Sequence, residues 1–482
     1  MTRPETRFTG PELCALSARA AVALLRKGEI SPAELLTAAY RRMDQVEPAV
    51  NATVTRCEAR AAAAARALDP ASPEARGPGW LAGLPVGIKD LTMVSGVRTT
   101  FGSTALADFV PDETDPLVER LEARGGIVAG KTNTPEFGAG ANTFNGVFGM
   151  TRNPWDVSRN AGGSSGGAAV SLATGELWLS HGSDLAGSLR TPAAFCGVVG
   201  LRPTPGRCGG GPAPAAFTIE GLQGPMARDV GDLALFLDTM TGWDPRMPIS
   251  IEAPATPFQA ALEADPGPIR IAFSEDQGGF APVEREIRAV LRAAMETLAQ
   301  AGLTVEEGCP DLPGLQDTYV TLRGVHYGAL NAFQPAHVQA AFKQTLRENT
   351  EFGRTLSSDA IYRAMRQRTV LYHAMREFLQ GVDVLAIPVT GIAPGPVQEE
   401  YPRSVDGVPV ADYVDWLRFS FLATTCALPA LSLPAGFTAA GLPVGVQLIG
   451  PPRGEARLLQ VARAMERALA LPSGPIDPMG RP

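Results

Sequence analysis

Apolar residues along this chain recur with two different periods. LSARAAVALLRKGEI (residues 16–30) carries its leucines, valine and alanines at helical spacing, and SPAELLTAAYRRMDQVE (31–47) repeats that spacing behind a start signal. There Ser31 is placed to cap, Pro32 to fill the first turn and Glu34 to close a capping box. CEARAAAAARALD (57–69) is helical on alanine propensity alone. Shorter apolar runs read as strands. GLPVGIKD (83–90) and GGIVAGKTN (125–133) are brief, apolar and end in polar residues, with a helix predicted between them in DPLVERLEARG (115–125). Strands are predicted again in PIRIAFSED (268–276), VDVLAIPV (382–389) and LPALSLPAG (428–436), and a helix in PVEREIRAVLRAAMETLAQAG (282–302). Such alternation predicts an α/β fold with a largely buried sheet.

Residues 311–380 keep helical periodicity but carry many charges, which predicts a helical cap over one face. No internal repeat is visible. Pro/Gly-rich turns at 205–214 and 391–408 are the best boundary candidates, yet neither is long enough to be a separable linker. The chain therefore divides within one compact domain. It comprises an N-terminal helical region (1–70), a core (71–245), a variable region with the helical cap (246–420), and C-terminal strands and a helix that complete the core (421–482).

Composition narrows the function classes. With 482 residues, 45% hydrophobic and 19% charged, the chain has enough apolar material for a large core and is not disordered. Its 42 basic and 50 acidic residues give a net charge of -8 without long runs of one sign, so neither nucleic acid nor an anionic membrane is an expected partner. MTRPETRFTGPEL lacks a signal-peptide core, and no stretch reaches the roughly 20 apolar residues of a spanning helix. A cytoplasmic location is expected. Cys14, Cys57, Cys196, Cys208, Cys309 and Cys426 lie far apart with no C-x-x-C pair, so reduced thiols are expected, with neither disulfides nor a metal site.

One segment resists the pattern. RNAGGSSGGAAVSLATGELWLSHGSDLAGSLRTP (159–192) begins like a flexible linker, but AAVSLATGELWL is apolar enough to pack, and linkers do not run straight into core. GGSSGG lacks the Gly-Lys-Ser/Thr ending of a phosphate-binding loop, and the G-x-S-x-G elbow of esterases is absent. The four histidines (His181, His326, His337, His373) are a poor supply for a metal or a Ser/His/Asp triad, although His181, seven residues before Ser188, is not dismissed by spacing. A serine activated without histidine needs another base. A buried lysine serves, because desolvation lowers its pKa from about 10.4 and leaves a neutral amine able to accept a proton. Lys89, ending LPVGIK with Asp90 as its only neighbouring charge, and Lys131 in VAGKTN both qualify on this ground.

GGSSGG (162–167) followed by GSDLAGSLRTPAAFCGVVGLRPTPGR (182–207) resembles the signature segment of the amidase signature family. Further blocks resemble the family in the expected order: LAGLPVGIKDL, PDETDPLVERLEARGGIVAGKTNTPEFGAG, FGMTRNPWDVSRNAGGSSGG and LPALSLPAGFTAAGLPVGVQLIGPP. The resemblance runs from about residue 12 to 470 and is weakest from 245 to 420. It implies an α/β/α sandwich whose central mixed, twisted sheet is covered by helices on both faces. It also implies amide hydrolysis through Ser188 as nucleophile, Ser164 as bridging serine, joined to Gly163 by a cis peptide, and Lys89 as base. Lys131 then takes a structural role. Backbone N–H groups of Leu185, Ala186, Gly187 and Ser188 would form the oxyanion hole, with Asp184 and Arg190 fixing that loop; direct substrate contact by Arg190 is the alternative.

At position 186 the family commonly has glycine, and alanine keeps the N–H while adding a methyl group. No cofactor is implied. The expected substrate is a small uncharged or hydrophobic amide. A carbamate or ester hydrolase on the same triad is one alternative, and the glutaminase subunit of a tRNA-dependent amidotransferase, which would need partner proteins, is another. A homodimer is left open. Tyr319, His326, Tyr327, Phe333 and Phe342 form a stripe expected to be core, and Cys426 is expected to be a buried inert thiol rather than a pocket residue.

Overall fold

The computed structural model describes residues 4–70, 72–209 and 213–480. Gly210, Gly211 and Pro212 of the 205–214 boundary turn, and the first three residues of the N-terminal segment, lie outside the described residues. Eleven strands form one sheet. In chain order they are β1 (Thr53–Arg56), β2 (Pro85–Lys89), β3 (Ile127–Thr132), β4 (Leu179–Asp184), β5 (Val199–Arg202) and β6 (Leu222–Ala227), then β7 (Arg270–Phe273), β8 (Thr304–Glu307), β9 (Val384–Pro388), β10 (Ala430–Phe437) and β11 (Pro443–Ile449). Their spatial order is β1-β3-β2-β4-β6-β5-β10-β11-β9-β7-β8. The sheet is mixed: β2 runs parallel to both β3 and β4, whereas β6 is antiparallel to β4 and β5.

Helices flank this sheet in the expected α/β/α arrangement. The predicted N-terminal helices form as α1 (Ala18–Lys27), α2 (Pro32–Val50) and α3 (Glu58–Ala67). At the start of α2 the Ser31 hydroxyl accepts from the Glu34 N–H at 3.3 Å, and the Glu34 carboxylate accepts from the Ser31 N–H at 2.8 Å. The capping box is thus complete. The helix between β2 and β3 is α4 (Pro116–Ala123), capped by the Asp115 carboxylate. Two helices that amphipathic periodicity did not mark are α5 (Gly166–Ala173) and α7 (Val230–Met240), with α6 (Arg190–Cys196) between them. Every residue of α5 and α7 is buried, so neither has a polar face to set up a 3.6-residue alternation. The predicted helix at 282–302 is α8 (Arg285–Gln300), and the charged region 311–380 folds as α9 (Leu315–Asn331), α10 (Ala336–Ala341), α11 (Gln344–Thr355) and α12 (Ser358–Phe378).

Glycine in the signature segment is there for close approach as well as conformation. A methyl group built on Gly167 would lie 2.3 Å from the Asn133 backbone nitrogen and 2.6 Å from the Ala52 carbonyl oxygen. Asn133 directly follows β3 and Ala52 directly precedes β1, so α5 packs against the backbone where those two paired strands meet. Gly167→Ala is expected to lower stability by ~1–3 kcal/mol through overpacking, read as a reduced urea midpoint at unchanged slope.

Candidate active site

Strand β2 carries an uninterrupted buried run, PVGIK, and ends in a lysine. Lys89 has no exposed surface. Its Nζ lies 2.7 Å from Ser164 Oγ, 2.9 Å from Ser165 Oγ and 3.0 Å from Ser183 Oγ, a cage of three hydroxyls. Burial pulls the ammonium down to about 7, opposed by the more distant negative charge of Asp184. Near neutral pH the amine is therefore poised between its two protonation states. Ser165 and Ser183 were not singled out from the sequence. Ser165 is indistinguishable by type from the serine beside it, and Ser183 sits in a strand, β4, that carries no clear alternation.

Two loops meet above the lysine. The first holds Gly163 and Ser164, joined by a cis peptide, and leads into α5. The second follows β4, turns at Gly187 with φ 87°, where a side chain would be strained, and places Ser188 before α6. The Ser165 N–H donates to the Ser188 carbonyl at 3.1 Å, tying the loops together. Ser164 and Ser188 line the same cavity.

Asp184 organises the second loop. Its carboxylate accepts from the Gly187 N–H at 3.1 Å and the Leu189 N–H at 3.0 Å, and from Arg190 through Nε at 3.0 Å and Nη2 at 2.8 Å. Arg202 approaches the same carboxylate at 3.6 Å. Burial alone would raise the Asp184 carboxyl, but Arg190 and Arg202 outweigh it and hold the group well below the usual carboxylate range. Arg190 is itself 1% exposed, and its remaining nitrogen donates to Gln447 Oε1. Each of its three nitrogens thus donates to protein, and Arg190 does not line the cavity. Among the expected oxyanion donors, the Gly187 N–H is engaged by Asp184, while no protein acceptor meets the N–H groups of Leu185, Ala186 and Ser188 among the described residues.

Asp90 is not the charge that faces Lys89. Its carboxylate sits 3.3 Å from Lys131 Nζ and accepts from the Thr100 hydroxyl at 2.6 Å. The physical reason is strand alternation: Lys131 pairs laterally with Ile88, so its side chain leaves the sheet on the face opposite Lys89. Lys131 Nζ also donates to the Thr92 carbonyl and Thr99 hydroxyl, both at 2.7 Å, which pins the loop after β2. His181 has no free acceptor. Its Nδ1 accepts from the Lys89 N–H at 3.4 Å, so Nε2 carries the proton and donates to Gln223 Oε1 at 2.7 Å. Burial pushes this imidazole down to about 3.

The cavity has a volume of about 210 Å³. Apolar side chains such as Leu91, Phe101, Phe137 and Leu222 dominate its walls, and among the described residues the charged ones that line it are Asp115 and Asp184. The aromatic stripe of 311–380 splits between core, cavity and solvent. Tyr319 stacks on Phe421 at 3.7 Å and Phe342 packs edge-on against Phe137, as core residues do. His326 and Tyr327 line the cavity instead, and Phe333 is 88% exposed. The five residues are spread over α9, the turn after it and the end of α10, so one linear stripe does not share one fate. Cys426 is buried, lies outside the cavity lining, and burial pushes its thiol up to about 12, as an inert thiol requires. No helix among the described residues is long and apolar enough to cross a membrane, and no group of His, Cys, Asp or Glu among them could hold a metal ion.

The fold and this constellation define an amide hydrolase of the amidase class. The Amidase family model matches residues 34–459, and the chain belongs to that family. It is therefore an enzyme, a hydrolase acting on amide C–N bonds. It is 36% identical to a glutamyl-tRNA(Gln) amidotransferase subunit of Anaeromyxobacter dehalogenans (strain 2CP-C), with 97% of this chain and 99% of that one aligned. Its backbone matches a bacterial aryl acylamidase of the amidase signature family with a TM-score of 0.86 at 27% identity, covering 97% of this chain and 99% of that one. The 6-aminohexanoate cyclic dimer hydrolase, solved with its substrate, matches with a TM-score of 0.83 at 27% identity over 95% and 98% of the two chains.

Replacing Arg190 with Met would leave Asp184 buried with only the more distant Arg202. Breaking such a pair costs about 3–5 kcal/mol. Arg190→Met is expected to lose that much stability in urea unfolding, with part of it recovered in the Arg190→Met, Asp184→Asn double variant.

Proposed function

We propose that this amidase works through a Ser188 acyl-enzyme, with Lys89 as base and Ser164 as the hydroxyl between them. The observation that carries this is the fully buried Lys89 amine 2.7 Å from Ser164 Oγ, with Ser164 and Ser188 lining one cavity. Neutral Lys89 takes the Ser164 proton while Ser164 takes the proton of Ser188 Oγ, which attacks the carbonyl carbon. A hydroxyl can do this because it donates and accepts at once. Negative charge then collects on the carbonyl oxygen, where the N–H groups of Leu185, Ala186 and Ser188 supply donors, joined by that of Gly187 if it swings from Asp184. The proton travels back to the leaving nitrogen as the C–N bond breaks, and amine or ammonia departs. Water repeats the sequence on the ester, releasing the acid and restoring Ser188. Asp184 and Arg190 act as positioning residues for the donor loop.

The substrate we infer is a small uncharged amide. Apolar walls support this, as does the lack of any Lys or Arg among the described cavity-lining residues. A second reading, a glutaminase that serves within an amidotransferase complex, is favoured by the 36% identity to a component of such an enzyme. Against it, the α-carboxylate of glutamine would find no Lys or Arg among the described residues that line this cavity. Purified protein should release ammonia or amine from simple aliphatic or aryl amides without added subunits; glutamine hydrolysis confined to a reconstituted complex would favour the second reading.

Two further outcomes are expected. Ser188→Ala should abolish turnover, and Lys89→Ala should lower kcat by several orders of magnitude while circular dichroism stays unchanged. The pH profile should follow from the lysine. Because the active form is the unprotonated amine, kcat/KM should fall about tenfold per pH unit below about 7 and level off above it. A flat profile between pH values of about 5 and 8, the range over which the amine titrates, would remove Lys89 as the base.

A further inference from the structure

The cavity wall opposite the apolar side is built by one face of α9 and the turn that follows it. His326, Tyr327, Leu330, Asn331 and Gln334 all line the cavity, at spacings that keep them on adjacent turns. Two of these are polar and without partners. The His326 ring is 4% exposed, and its Nδ1 makes no hydrogen bond although it is fully shielded from solvent. Asn331 is 3% exposed, and its carboxamide makes no hydrogen bond to protein among the described residues, although its polar atoms are not sealed from solvent as His326 Nδ1 is. Gln334, by contrast, donates its amide to the Leu330 carbonyl at 3.2 Å. A buried polar group without a partner is costly, and an apolar wall here would be better packed. These two groups, five residues apart on the wall of a catalytic cavity, offer hydrogen bonds that the protein does not use and a ligand can take up.

The charge state limits what that ligand carries. Burial drives the His326 imidazole down to about 4, opposed by Glu220, so the ring is neutral when the amidase reaction runs. Glu220 is itself paired with Arg368 at 2.5 Å. Asparagine is uncharged. Neither wall residue can balance a carboxylate or an ammonium, but both can donate and accept hydrogen bonds.

We propose that His326 and Asn331 form a specificity subsite that hydrogen-bonds an uncharged polar group, such as a hydroxyl, carboxamide or ether, carried by the substrate away from its scissile amide. The proposal rests on the amidase reading above and narrows its substrate class. The preferred substrate is a neutral amide with a second, hydrogen-bonding end, rather than a plain hydrocarbon amide.

Binding separates this from the chemistry. Straight-chain primary amides from butanamide to octanamide, each with and without a terminal hydroxyl, can be titrated calorimetrically into the Ser188→Ala enzyme. At the chain length that spans the cavity, the hydroxylated amide should bind about tenfold more tightly than its plain counterpart. Asn331→Leu and His326→Phe should erase that difference without weakening the plain amide, and His326→Gln should restore part of it. Equal affinity of the paired amides at every length would overturn the subsite, as would variants that weaken both members of a pair alike. Hydrolysis of the same amides by the unsubstituted enzyme tests the proposed function on its own, since affinity for the Ser188→Ala protein does not depend on which group attacks.

Discussion

Lys89 can be held uncharged only while water is kept from its nitrogen and no anion touches it, and both conditions are met by distant parts of the chain. β2 supplies a buried approach, the two serine loops supply three neutral hydroxyls, and Asp184, which could have paired with the lysine, is instead bound by Arg190 and Arg202. A carboxylate in direct contact would favour the ammonium and raise its pKa, whereas hydroxyls offer hydrogen bonds without that bias. The buried ion cluster under the Ser188 loop and the neutral cage around Lys89 are thus two sides of one electrostatic arrangement.

The same separation of charge explains why two lysines on neighbouring strands differ. Lys131 is as buried as Lys89, and burial also lowers its pKa, but Asp90 at 3.3 Å opposes the shift. It anchors the loop after β2 and faces away from the cavity. Parallel pairing sets this, because Lys131 lies opposite Ile88 and shares its face of the sheet. A one-residue shift of β3 would carry Lys131 to the face of the sheet that Lys89 occupies.

Much of this was legible before any coordinates. Ser31, Pro32 and Glu34 announced α2, because capping chemistry is local and needs only residues three apart. The short apolar runs ending at Lys89 and Asn133 marked two central strands. Helices α5 and α7 were not marked, since a segment buried on every side has no amphipathic signature. Residues 311–380 read as helical from their periodicity, but periodicity does not fix the surroundings of each ring in their aromatic stripe. Which way each ring points depends on how α9 packs against Phe421 and on the cavity beside it.

The sequence alone determined the α/β class, through its alternation of helix and strand, and the family, through the motifs that resemble it; the candidate triad came from that resemblance, because residue type and local order left Lys89 and Lys131 equal. Tertiary structure alone decided which charges meet. That Asp90 belongs to Lys131, that Asp184 belongs to Arg190 and Arg202, and that His181 has both nitrogens occupied follow from sheet register and from contacts between residues far apart in the chain. Electrostatic partnership is a matter of a few ångströms in space, and separation along the sequence carries almost no information about it.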